Sequence, residues 1–190
     1  PTSGKLTAQA QRLADAHASH DGLRSVVVRA DQVYNEFSSG TPDASAYRRY
    51  MKMLYDRAQT EDEMPKYLVL FGDGAWDNRM CISNWRGCSP DDFLLCFESE
   101  NSFSETDCYV SDDFFCLLDD GEQIEQKVGT NSLYKGKPDI AVGRFPVRND
   151  AEAKIMVDKI EAYTSKTHSG ACSEHSHQRE SCRLLLLPNL

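Results

Sequence analysis

Nowhere in the 190 residues is there an apolar run approaching the roughly 20 residues that a membrane-spanning helix needs. The four leucines at 184–187 are far too few. Basic side chains are missing from one long stretch: between Asp91 and Gln126 there are twelve acidic residues and no Lys, Arg or His. With a net charge of -9, the chain is poorly suited to nucleic acid, whose affinity comes mainly from Lys and Arg on phosphates. No G-x-x-x-x-G-K-[ST] loop is present, which argues against a nucleotide hydrolase, and no EF-hand spacing occurs. No signal-like segment opens the chain, and residues 1–5 read as an internal start.

The cysteines are seven, an odd number, so at least one stays unpaired within the chain. Cys81, Cys88, Cys96, Cys108 and Cys116 form no C-x-x-C pair, so a structural zinc site there is not expected. Cys96 and Cys116 lie inside apolar runs and read as small buried hydrophobes. Near the end, Cys172, His175, His177 and Cys182 offer zinc-type ligands, but the histidines are too close together for a finger.

What is present is an alternation of helix and strand. Residues 6–20 carry apolar side chains at helical spacing, and Gly22 supplies the stop. A β-branched strand follows at 25–29. Pro42, with Thr41 or Asp43 as cap, starts a helix running to about Ala58, with Tyr47, Tyr50, Met51, Leu54, Tyr55 and Ala58 on one face. Residues 67–71 form a continuous apolar run, as in a parallel strand covered on both faces. Residues 92–98 and 109–115 read as strands or extended segments, and 121–137 as a polar loop. A last strand covers 140–142. Asn149 and Glu152 then make a capping box for a helix to Lys166, with Ala153, Met156, Val157, Ile160 and Tyr163 inward. The fold class is therefore α/β, a mainly parallel sheet with crossover helices.

The chemistry of such folds sits where strands end. After the strand at 67–71 come Gly72-Asp-Gly74 and Asp77; Ser111-Asp-Asp113 and Asp119-Asp120 lie farther on. These carboxylates either cap loops or hold a hard cation, with Asp73, Asp77, Asp112 and Asp113 as the calcium candidates. Arg144 is expected to form a buried ion pair with a strand-end carboxylate rather than to clamp a substrate carboxylate.

Four segments in order carry a family resemblance: Tyr34-Asn-Glu-Phe-Ser-Ser-Gly-Thr-Pro-Asp43, Leu70-Phe-Gly-Asp-Gly-Ala-Trp-Asp-Asn-Arg79, Tyr109-Val-Ser-Asp-Asp-Phe-Phe115 and Val142-Gly-Arg-Phe-Pro-Val-Arg148. They resemble the gingipain-type cysteine peptidases, above all the branch that serves as a cell-surface sortase in type IX secretion. The resemblance implies a caspase-like α/β catalytic unit of two subdomains, of which residues 1–166 look like the first. The catalytic His, Cys and supporting acidic residue of that family belong to the second, so none is carried over to this chain. Residues 167–190 read as an atypical tail, foreign to an incomplete fold. The implied parent is a bacterial cysteine endopeptidase, a sortase-like signal peptidase that is surface-associated, outer membrane-associated or secreted. Its implied partners are protein substrates and secretion-system components. No cofactor is required, calcium being the one candidate, and this chain alone is expected to be inert. The competing reading is a non-enzymatic acidic α/β module that binds calcium or a basic protein partner.

Overall fold

Leu6, Ala10, Leu13 and Ala14 fall on one helical face, and the chain buries that face first. In the computed structural model, which describes residues 6–82, 86–100, 102, 104, 106, 108–124, 134–166 and 183–188, helix α1 spans Thr7–Asp21 and those four side chains are buried. Gly22 ends it in the left-handed conformation, φ 68°, which glycine reaches without a Cβ penalty. Strand β1 (Arg24–Val27) follows at once.

Two helices then cross over to the next strand. Helix α2 (Ala30–Phe37) is an addition to the sequence reading. Its eight residues bury only Ala30, Val33 and Tyr34, too short a stripe to stand out by period. Helix α3 (Ser45–Arg57) starts where Asp43 accepts the Ser45 N–H at 2.8 Å, so Asp43 is the capping side chain. Tyr47 and Met51 are fully buried, with Tyr50, Leu54 and Tyr55 packed around them.

Strand β2 (Pro65–Phe71) alternates its side chains between two cores. Leu68 and Leu70 pack with α2 and α3, whereas Val69 and Phe71 pack with α1 and the last helix. An irregular insert follows. Among its described residues are two antiparallel pairs, β3 (Phe97–Glu98) with β4 (Val110–Ser111) and β5 (Gln123–Ile124) with β6 (Tyr134–Lys135). Of the segments expected to be strands or extended, 92–98 holds β3 and a bridge from Leu94 to Gly74, and 109–115 holds β4 before turning into a 3₁₀ helix over Asp113–Cys116; a second 3₁₀ turn covers Pro90–Asp92.

Strand β7 (Ala141–Phe145) then pairs parallel to β2, and helix α4 (Asp150–Lys166) returns across the sheet. Its start is a shifted version of the expected capping box. Asn149 accepts the Glu152 N–H at 3.0 Å, while Glu152 reaches back one residue farther, to the Arg148 N–H at 2.9 Å. Ala153 and Val157 are fully buried, with Met156 and Ile160 packed beside them. Tyr163 departs from expectation and is 71% exposed.

The largest correction concerns the end of the chain. Residues 183–188, read from sequence as part of a foreign tail, form strand β8 (Arg183–Pro188). The sheet order is β1-β8-β2-β7, all parallel, so β8 lies between β1 and β2. Leu185 is buried in the core under α2 and α3, and Leu186 in the core under α1 and α4. A run of leucines with no polar alternation is what a strand covered on both faces requires. The Cys/His array at 172–182 lies outside the described residues.

Candidate functional site

The carboxyl end of β2 is held open as a sharp, multiply tied turn. Asp73 donates its N–H to Val147 O at 3.0 Å and accepts the Leu94 N–H at 2.8 Å, so the turn is bonded on both sides. Its carboxylate accepts the Gly74 N–H at 2.9 Å and lies 3.8 Å from the Arg148 guanidinium. Gly74 has no room for a side chain: a Cβ there would lie 2.5 Å from Cys96 Sγ and 3.3 Å from the Arg144 guanidinium. That close approach, rather than backbone conformation, is why glycine stands at this position.

Arg144, on β7, organises the whole edge. Nε and Nη2 grip Asp112 in a fork, at 2.8 and 2.7 Å. Nη1 donates to the carbonyls of Gly72 and Leu94 at 3.2 and 3.4 Å, and Nη2 donates to Leu95 O at 3.2 Å. A guanidinium has five N–H donors, and here all five are used within the protein. The expected ion pair is therefore present, partly rather than fully buried, and its partner is Asp112, thirty-two residues away along the chain. No donor remains for a substrate carboxylate.

Around this pair the polar groups are equally committed. Asn78 acts like a strand partner for Cys96, accepting its N–H at 3.1 Å and donating to its carbonyl at 2.9 Å. The buried hydroxyls of Tyr34 and Tyr47 hydrogen-bond to each other, and burial pushes Tyr34 up to about 12. Cys96 is nearly buried and its thiol is pushed up, first by burial, with Asp112, Glu98 and Asp73 adding to the effect and Arg144 opposing it. Among the described residues no imidazole acts on it. Cys116, buried as expected, is pushed up to about 12, again mainly by burial. Neither thiol is primed as a nucleophile, which needs a depressed pKa or an adjacent base.

The four calcium candidates divide. Asp73 and Asp112 line one small cavity of about 210 Å³ at the sheet edge, together with Gly74, Trp76, Cys96 and Arg144. Asp112 spends both oxygens on Arg144. Asp77 caps a loop by accepting the Ile82 N–H at 3.1 Å. Asp113 sits exposed at the start of a 3₁₀ turn. Among the described residues the carboxylates that do gather are Asp119, Glu122 and Asp139, with one oxygen from each lying within 4.8 Å of the others. Backbone amides share those groups: Leu118 donates to Asp139 at 2.7 Å, Asp119 to Glu122 at 3.2 Å, and Lys137 to Glu122 at 2.8 Å. Sequence reasoning singled out Asp119 alone of the three. It missed Glu122, Asp139 and the grouping, because nothing local signals that a loop and the approach to a strand will meet. Asn78 was also missed, since its role exists only opposite Cys96.

Comparison with known proteins fixes the class. The chain resembles the solved structure of a dimeric latent PorU from Porphyromonas gingivalis, with a TM-score of 0.68 and 40% sequence identity. The similarity covers 87% of this chain and 15% of that one, so the chain spans about a seventh of that relative's length. None of the curated proteins compared matches the chain. The model of peptidase family C25 matches residues 2–177. Its span takes in the Gly72-Asp-Gly74 turn, Arg144 and the helix that leads to the central strand: the chain belongs to peptidase family C25, the gingipain family of cysteine peptidases.

Proposed function

We propose that the chain is the first α/β subdomain of a gingipain-type cysteine endopeptidase, a sortase-like signal peptidase of type IX secretion acting at the bacterial cell surface. In this reading the chain supplies a rigid sheet, and a second subdomain supplies the catalytic thiolate and imidazole. There the thiolate attacks the scissile carbonyl, the imidazole carries the proton to the leaving amine, and backbone N–H groups stabilise the oxyanion. The observation that carries the reading is the saturation of Arg144. An edge whose cation is fully bonded internally is a scaffold, not a charge awaiting substrate. The described histidines support it, since His17 and His20 lie near the end of α1, which packs on the other face of the sheet from Cys116.

A cleavage assay tests this with the 190-residue chain alone and with a longer protein that includes the coding sequence after residue 190. The chain alone is expected to leave a protein substrate intact, and the longer protein to cleave it until alkylated by iodoacetamide. Cleavage by the short chain would overturn the scaffold role. A longer protein that is inactive, or active but indifferent to alkylation, would overturn the peptidase role. The competing reading, an acidic calcium-binding module, draws on the Asp119, Glu122 and Asp139 grouping. It requires heat on titration with calcium chloride that Asp139→Asn removes.

A further inference from the structure

Two of the large apolar side chains left exposed among the described residues, Trp76 at 45% and Val110 at 42%, border the same cavity. It opens at the carboxyl end of β2 and β7, the side on which α/β proteins take ligands. Its volume, about 210 Å³, suits a group somewhat larger than benzene, which an engineered apolar cavity of about 150 Å³ accepts. The inner wall is set by Gly74 and Cys96, whose close approach leaves no space for a bulkier residue at 74. At its base the Arg144–Asp112 pair is neutral as a unit, with its donors used. Asp73, the remaining charge, already faces Arg148.

We propose that this cavity receives one uncharged side chain, aliphatic or aromatic, of a protein engaged by the peptidase. The inference rests on the family reading above for the occupant being a polypeptide; the cavity's shape and charge supply the rest. An anionic side chain would have to shed its water where no donor is free, and a cationic one would meet only Asp73, which it would have to share with Arg148. Trp76 supplies the flat apolar surface that dominates contacts of this kind. Uncovered, it and Val110 leave apolar area in water that a bound side chain would remove.

The test uses the full 190-residue chain, labelled with nitrogen-15, and follows the indole N–H resonance of Trp76 and the amide of Gly74. The probes are N-acetyl-L-leucinamide, N-acetyl-L-phenylalaninamide, N-acetyl-L-lysinamide and N-acetylglycinamide. Saturable shifts are expected with the leucine and phenylalanine amides, and binding at least about tenfold weaker with the lysine and glycine amides, a difference of roughly 1.4 kcal/mol. Val110→Lys, a change at a half-exposed rim position, is expected to abolish the saturable shift while the rest of the amide spectrum stays in place. The proposal is overturned if no probe saturates, if the lysine or glycine amide binds as well as the apolar ones, or if Val110→Lys leaves the shift intact. The cleavage assay reads the peptidase role separately. A longer protein that cleaves while the cavity stays silent sinks this inference alone.

Discussion

The two faces of the sheet are held by different physics. Beneath α1 and α4 the contacts are helix-on-sheet packing of Leu13, Ala14, Phe71, Ala153, Val157 and Leu186. The polar links on that side are side-chain pairs near solvent, with Arg12 reaching Asp158 and Glu161 at 2.6 and 2.5 Å. On the other face an insert with little regular structure has to be fixed, and cationic side chains do it through backbone carbonyls. Arg144 ties Gly72, Leu94 and Leu95; Arg48 donates to Leu117 O and Glu122 O at 2.5 and 2.8 Å; Lys52 donates to Leu118 O at 3.1 Å. The difference teaches where polar bonds matter. Regular helices satisfy their own backbone, whereas an irregular segment must borrow donors or leave buried carbonyls unpaired.

Strand β8 belongs to both faces, so damage there should be the most severe. Leu185→Asp places a charge in a fully apolar site between β1 and β2. It should prevent cooperative folding. Leu185→Ala should cost about 2–5 kcal/mol in urea unfolding. An unchanged urea midpoint for either variant would mean that β8 is not the centre of the sheet.

Next in size comes the insert-bearing face alone. Arg144→Met should cost about 3–5 kcal/mol, because it strands Asp112 and three carbonyls. Asp112→Asn in that background should restore part of the loss, a coupling that a double-mutant cycle reads directly. Additive losses would show that the fork holds nothing.

A smaller effect appears in alkali. Cys116 rises from an ordinary 9.0 to about 12 on folding, so above pH 9 the unfolded chain has lost a proton that the folded chain keeps. The contribution is fully present below pH 9 and is lost between about 9 and 12. Tyr34 acts in the same direction from 10.0 to about 12. Thermal melts should therefore fall over this range, and Cys116→Ala should flatten the early part of the fall. In the same series, Cys81, Cys88 and Cys108, which are exposed, should alkylate at neutral pH well before Cys96 and Cys116, as read by peptide mass spectrometry.

The smallest change belongs to the helical face. Arg12→Ala removes two ion pairs at once, yet all three side chains are at least a third exposed and hydrated. The urea midpoint should stay within error, as exposed pairs generally permit. A loss comparable to that of Arg144→Met would erase the contrast between the faces.

Much of the architecture was legible because it follows from local rules. Period, capping and apolar runs placed α1, α3, α4 and, in outline, β1, β2 and β7; Gly22 and Asp43 marked boundaries; the apolar context of Cys96 and Cys116 told of their burial. Tyr163 was misjudged for a local reason too. It lies at the margin of the apolar arc of α4, where a small rotation decides burial.

What the chain determined alone, then, was the three helices α1, α3 and α4, the strands β1, β2 and β7 in outline, that the sheet is mainly parallel, and that Arg144 needs an anion close by. Only the tertiary structure decided that residues 183–188 lie between β1 and β2, that the anion is Asp112, and that Asp119, Glu122 and Asp139 meet. The reason is range. Periodicity and caps act over a few residues, whereas the order of strands and the partner of a guanidinium depend on segments far apart in sequence, brought together by burying leucines on both faces of one sheet.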